Sequence, residues 1–168
     1  MEKLDKITIH WSVTGYKATP DCMEHYHFVI EGDGAIKICN RPPESNLPSS
    51  VQKGTYQAHC GGGNSSNIGV SMASMVGYEG PNHVGEAPIT AVQFEACMKF
   101  VASLCKKYNI PVTPTTVFTH YEFGLSHPTT SSAGKIDINH LPHLPNLKAE
   151  EIGNFIRGKV QGCLTQIK

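Results

Sequence analysis

Charge is scarce in this sequence, and what there is balances, with 14 basic against 14 acidic side chains. No basic surface is available to track a phosphate backbone, which excludes a nucleic-acid binder held by electrostatics. Long hydrophobic runs are also missing. No stretch reaches the roughly eighteen apolar residues that a membrane span needs, so no membrane insertion is expected. The opening residues Met1-Glu2-Lys3-Leu4-Asp5-Lys6 lack the apolar core of a signal peptide, so synthesis in the cytoplasm without an export signal is expected, whatever the final place of action. No Cys-x-x-Cys occurs, which argues against thioredoxin chemistry and zinc ribbons. Without an export signal, the cysteines Cys22, Cys39, Cys60, Cys97, Cys105 and Cys163 are expected to be reduced and to act as small core residues. No internal repeat is visible. At 168 residues the chain is long enough for one domain with a real core and too short for two, so residues 1–168 are read as a single domain.

The apolar pattern supplies the elements. Ile7, Ile9 and Trp11 alternate with Thr8 and His10, the period of two that marks a strand, so His10 projects opposite Ile9. A second strand is expected over His25-Tyr26-His27-Phe28-Val29-Ile30, turned by Gly32-Asp33-Gly34 into Ala35-Ile36-Lys37-Ile38. Residues 40–57, rich in Pro, Ser, Asn and Gln, read as surface loop. Ile68 through Ala73 resume as strand. Thr90 with Gln93 makes a capping box for a helix whose stripe runs Phe94, Cys97, Met98, Val101, Leu104, Cys105 and Tyr108. Val117-Phe118 form a last interior strand, and an amphipathic helix runs from about Lys148 through Ile152, Phe155, Ile156, Val160 and Leu164. The order implies an α/β fold, a mixed sheet covered by helices.

Histidine is what the sequence has in quantity, nine in all. His10 and His120 each close a strand-like run, and Lys135-Ile136-Asp137 follows the second. Two neutral imidazoles and one carboxylate suit a zinc site whose fourth position stays open for water, and an open position points to hydrolysis. His25-x-His27 with Cys22 is a rival metal group; the plainer reading puts His25 and His27 on the wetter strand face. His140-x-x-His143, among prolines, reads as solvated loop. His127 and His140 are alternatives to Asp137 as third ligand. Glu122 is read either as an acceptor orienting a ligand or as a surface ion-pair partner.

Ile9-His10-Trp11-Ser12, Tyr26-His27-Phe28-Val29-Ile30 with Gly32-Asp33-Gly34, His59 through Asn67-Ile68-Gly69-Val70, Phe118-Thr119-His120 and Lys135-Ile136-Asp137 occur in that order over roughly residues 5–145. In this set the chain resembles the zinc-dependent N-acetylmuramoyl-L-alanine amidases, which share their fold with the peptidoglycan recognition proteins. The resemblance implies a central mixed sheet flanked by helices, with Zn2+ held by His10, His120 and Asp137. It places Tyr26 and Lys135 on the family's active-site tyrosine and lysine, and His59 in the groove that meets the glycan–peptide substrate. Some relatives carry Glu where this chain has Ser71, which makes it resemble the phage and recognition-protein branch rather than the recycling amidases. The implied activity is cleavage of the amide between N-acetylmuramic acid and L-alanine in peptidoglycan by an endolysin, acting on the cell wall in the host periplasm after a holin-type pore opens. A peptidoglycan-binding module without catalysis, or an interbacterial amidase toxin, are the alternatives.

Overall fold

The computed structural model describes residues 1–167. Five strands form one sheet: β1 (Lys6–Trp11), β2 (Phe28–Ile30), β3 (Ile36–Ile38), β4 (Asn67–Met72) and β5 (Val117–Thr119). Their spatial order is β3-β2-β4-β1-β5. All neighbours run parallel except the β2–β3 hairpin, where Gly34 turns at φ +92 and Asp33 Oδ1 accepts from the Ala35 N–H at 2.9 Å. The helices are α1 (Pro20–His25), α2 (Pro48–Lys53), α3 (Ala91–Tyr108), α4 (His120–Ser126) and α5 (Ala149–Gln166), with one 3-10 turn at Pro43–Asn46.

Alternation along the central strands sorts the molecule into two faces. Ile7, Ile9 and Trp11 of β1, Ile68, Val70 and Met72 of β4 and Val117 of β5 enter the main core. Phe94, Met98 and Val101 of α3 and Ile152, Ile156 and Val160 of α5 close it from the helix side. Full burial of one such side chain stabilises the fold by roughly 1.5–3 kcal/mol. The helix start is as expected: Thr90 and Gln93 form the capping box of α3. Gln93 also donates from Nε2 to the carbonyls of Ile30 and Ala73, at 2.9 and 2.8 Å, and so ties the helix to two strand ends. The opposite face, carrying Thr8, His10, Asn67, Gly69 and Ser71, is covered by short helices and loops instead of long helices.

Three local expectations are corrected. The segment from His25 is not one strand: α1 ends at His25 and β2 begins only at Phe28. Thr19 caps α1 and Pro20 opens it, a start signal in a helix too short to show periodicity. Residues 40–57 hold the 3-10 turn and α2, and Asn46 and Gln57 within them are fully buried. His27 is fully buried rather than on a wet face. It accepts from the Gly69 N–H at Nδ1 (2.9 Å) and donates from Nε2 to Asn46 Oδ1 (3.0 Å), so it is a strut between β4 and the loop.

Candidate active site

Three segments far apart in sequence bring His10, His120 and Asp137 together, their donor atoms all within 4.8 Å of one another. Among the described residues this is the one His/Cys/carboxylate group compact enough to share an ion. His10 comes from the end of β1. His120 does not close β5 but is the first residue of α4, whose capping box joins Thr119 and Glu122. Asp137 comes from the loop before α5. All three side chains are buried.

Each histidine presents Nδ1 to the carboxylate, His10 at 2.9 Å from Asp137 Oδ2 and His120 at 3.4 Å from Oδ1. Behind each ring runs a hydrogen-bonded chain. His10 Nε2 lies 3.0 Å from His59 Nδ1, and His59 Nε2 lies 3.0 Å from the carbonyl oxygen of Asn67. His120 Nε2 lies 2.9 Å from Ser132 Oγ, which donates to the Gly61 carbonyl at 2.8 Å. Both chains end on acceptors, a carboxylate at one end and a carbonyl at the other. Each has three contacts, but two neutral groups supply only two hydrogens. One positive charge per chain completes the count, a proton or a metal ion. The donor set therefore fits a divalent cation lying against Nδ1 of both rings and the carboxylate.

The electrostatics supply that charge as a proton to the His120 chain and leave the His10 chain without it. Burial pulls His10 down to about 4, so its ring is neutral at physiological pH despite the neighbouring carboxylate. Burial pulls His120 the same way, but Asp137 outweighs it and pushes the ring up to about 9. Burial opposes ionisation of Asp137, yet the two imidazoles hold its carboxyl below the usual range. His59 is held neutral, far below an ordinary imidazole, chiefly by burial.

A cavity of about 420 Å³ opens over the group, lined also by Trp11, Tyr26, His59 and Lys135. The Tyr26 ring lies 5.1 Å from that of His10, and burial with the Asp137 charge pushes its phenol up, so its O–H stays a donor. Lys135 is exposed, and among the described residues it has no carboxylate partner. Ser71 pairs with His10 in register, and its buried Oγ has no partner. A second hollow of about 470 Å³ shares His25 and Ala58 with the first and reaches Arg41 and Tyr56.

The other candidates do not join the group. Cys22 packs with Val29 in a small apolar cluster, and His25 is turned to its own helix, near Asp21. His127 stacks on Phe123 with ring centroids 3.9 Å apart. His140 is buried, not solvated, and stacks on Tyr78. Glu122 does not reach a ligand; it pairs with Arg157. Ser132, which holds His120 from behind, was hidden in a Pro/Thr/Ser stretch that carries no periodic signal.

A mixed-sheet α/β fold with a buried His-His-carboxylate group under an open groove defines a class, proteins that can hold a metal ion where a ligand can reach it. Within that class the assignment is direct: residues 1–137 match the N-acetylmuramoyl-L-alanine amidase family, and the chain belongs to it. Among solved structures it is similar to the N-acetylmuramoyl-L-alanine amidase LysC from Clostridium intestinale URNW, at 21% identity over 69% of each chain and a TM-score of 0.44. It is also similar to the endolysin amidase LysCS of that organism, at 20% identity over 71% of this chain and 73% of that one, TM-score 0.45. A third is the E. coli amidase AmiD, in complex with anhydro-N-acetylmuramic acid-L-Ala-D-gamma-Glu-L-Lys. It is 16% identical, with 70% of this chain covering 48% of AmiD and a TM-score of 0.48. No curated protein matches the chain. No helix among the described residues is long and apolar enough to cross a membrane.

Proposed function

We propose that this chain is a zinc-dependent N-acetylmuramoyl-L-alanine amidase that cuts the amide between N-acetylmuramic acid and L-alanine of peptidoglycan, and that it serves as a phage-type endolysin. The observation that carries the reading is the His10–Asp137–His120 group under the groove, each ring backed by a chain one positive charge short. His10, His120 and Asp137 would hold the zinc, leaving a position open toward the groove. Zinc, when bound, supplies a Lewis acid and lowers the pKa of its water to about 7.

The chain's own residues supply the rest. Lys135 brings an ammonium to the groove wall, where it would stabilise negative charge growing on the carbonyl oxygen of the scissile amide. Tyr26, kept protonated by burial, would donate a hydrogen bond to the reacting groups. Ser71 offers a hydroxyl where a carboxylate base stands in some amidases, so the reading assigns no general base to β4. The stem peptide would continue into the second hollow, where the Arg41 guanidinium can meet a carboxylate. The whole chain is read as one amidase domain. Its place of action is the cell wall, reached through a pore made by another protein.

The test is a digest of purified murein with and without chelator, followed by mass spectrometry. Chelator-sensitive release of peptides with a free L-alanine amino group, leaving the glycan intact, is the expected result. Binding without release would replace the enzyme by a recognition module, and neither binding nor release would overturn both.

A further inference from the structure

The two chains behind the metal group differ in what they pass through, an imidazole on one side and a hydroxyl on the other, but both end on a backbone carbonyl. A carbonyl oxygen only accepts, so the direction of each chain is set from that end. Asn67 O fixes the hydrogen of His59 on Nε2. With its hydrogen on Nε2, the imidazole of His59 turns the lone pair of Nδ1 to His10, and accepts from His10 Nε2–H at 3.0 Å. Ser132 Oγ donates to Gly61 O and accepts from His120 Nε2–H, with the Cys60 thiol 3.9 Å from the same oxygen. In both ligands the remaining lone pair is Nδ1, the atom that faces Asp137.

The surroundings hold these intermediaries in place. A Cβ at Gly69 would lie 2.6 Å from His59 Cγ, so the absent side chain lets the imidazole lie flat against β4. Asn64 Oδ1 accepts from the N–H groups of His59 and Cys60 at 3.0 and 2.9 Å and fixes the turn that carries the ring. Ser132 is fully buried. With both nitrogens of His59 engaged within the protein, neither is left to hydrogen-bond a substrate in the groove.

We infer that His59 and Ser132 are positioning residues that lock His10 and His120 as Nε2–H tautomers, so that both ligate zinc through Nδ1. This rests on the zinc reading given above and assigns His59 to the metal rather than to the glycan–peptide. Partners of this kind fix ring orientation and raise ligand basicity, and their loss weakens metal binding by about 10–100-fold.

The experiment measures zinc affinity by chelator competition for the wild type, Ser132→Ala, His59→Leu and His59→Asn. Long-range proton–nitrogen NMR of the zinc-loaded wild type then reports which ring nitrogen is bound. The expected spectrum shows Nδ1 ligation with protonated Nε2 for both His10 and His120. Ser132→Ala and His59→Leu should each bind zinc about 10–100-fold more weakly. His59→Asn should stay near wild type, because its Oδ1 can take over the acceptor position of Nδ1. Ligation through Nε2, or Ser132→Ala binding as tightly as the wild type, would overturn the inference. If His59→Leu fails to fold, the spectrum and Ser132→Ala still decide. Wild type that binds no zinc at all would overturn the metal reading itself, a separate outcome.

Discussion

Glu122 is the third residue of α4, and removing it should be costly. Its carboxylate accepts from Arg157 at 3.0 Å on Oε1 and 2.8 Å on Oε2, and from the Thr119 N–H at 3.0 Å. Arg157 is 9% exposed, and its remaining bonds go to the Val117 carbonyl and to Asn154 Oδ1, both neutral. Truncation of Glu122 to alanine thus leaves a guanidinium buried without a counter-charge. Breaking a buried pair from one side costs about 3–5 kcal/mol. Glu122 keeps 29% of its side chain exposed, which lowers the cost, and the capping bond to Thr119 is lost in the same step, which raises it, so the loss is expected within that range. For a chain of this size the loss corresponds to a melting shift of about 6–20 °C. Glu122→Gln keeps an acceptor for the Thr119 N–H and for one arm of Arg157, and should cost clearly less. Urea unfolding of the three proteins, extrapolated to water at common slope, measures both differences. A Glu122→Ala protein within about 1 kcal/mol of wild type would refute the reasoning, since it would mean the pair behaves as a solvated surface bridge.

Other outcomes follow from the same geometry. His10→Ala and Asp137→Ala should each lose bound zinc together with murein hydrolysis; metal analysis of the purified variants checks this, and full activity without metal would sink the ligand assignment. Lys135→Ala should keep its fold and zinc but lose about 10²–10³-fold in kcat, the usual cost of one donor to a developing oxyanion; wild-type turnover would remove Lys135 from the reaction. His27 is pulled down to about 4, chiefly by burial, so between about pH 4 and 6.5 the unfolded chain takes up a proton that the folded one refuses. Stability should therefore rise with pH across that window, by about 3 kcal/mol from this group, and the His27 ring should stay neutral by NMR until near pH 4.

The sequence was most readable where one periodic signal ran long enough. The alternation of β1 showed which way His10 points, and Thr90 with Gln93 marked the first turn of α3 to the residue. Reading failed where a short element or a buried hydrogen bond decides the outcome. The six residues of α1 cannot display a helical stripe, and only Thr19-Pro20 announced it. His27 looked like the polar half of an alternating strand because nothing in its neighbours reveals that Gly69 and Asn46 hold its two nitrogens. That His10, His120 and Asp137 come together was visible from their residue types, though His120 opens α4 instead of closing a strand. The group's outer layer was less so: His59 stood out only through the resemblance, and Ser132 not at all, since the contact that matters spans the chain rather than the local pattern.

One consequence follows from the two faces of β1. Ile7, Ile9 and Trp11 enter the core while Thr8 and His10 point the other way, and a slip of one residue in the pairing with β4 would exchange the sets. The energy that forbids the slip is spent among α3, α5 and the apolar side of the sheet, away from the His10–His120–Asp137 group. The face on which His10 emerges is thus set by residues on the other side of the sheet, and Asp137 and His59 then only orient its ring. The reactive side can therefore be rewritten, one donor or one groove residue at a time, without asking the folding of the sheet to be solved again.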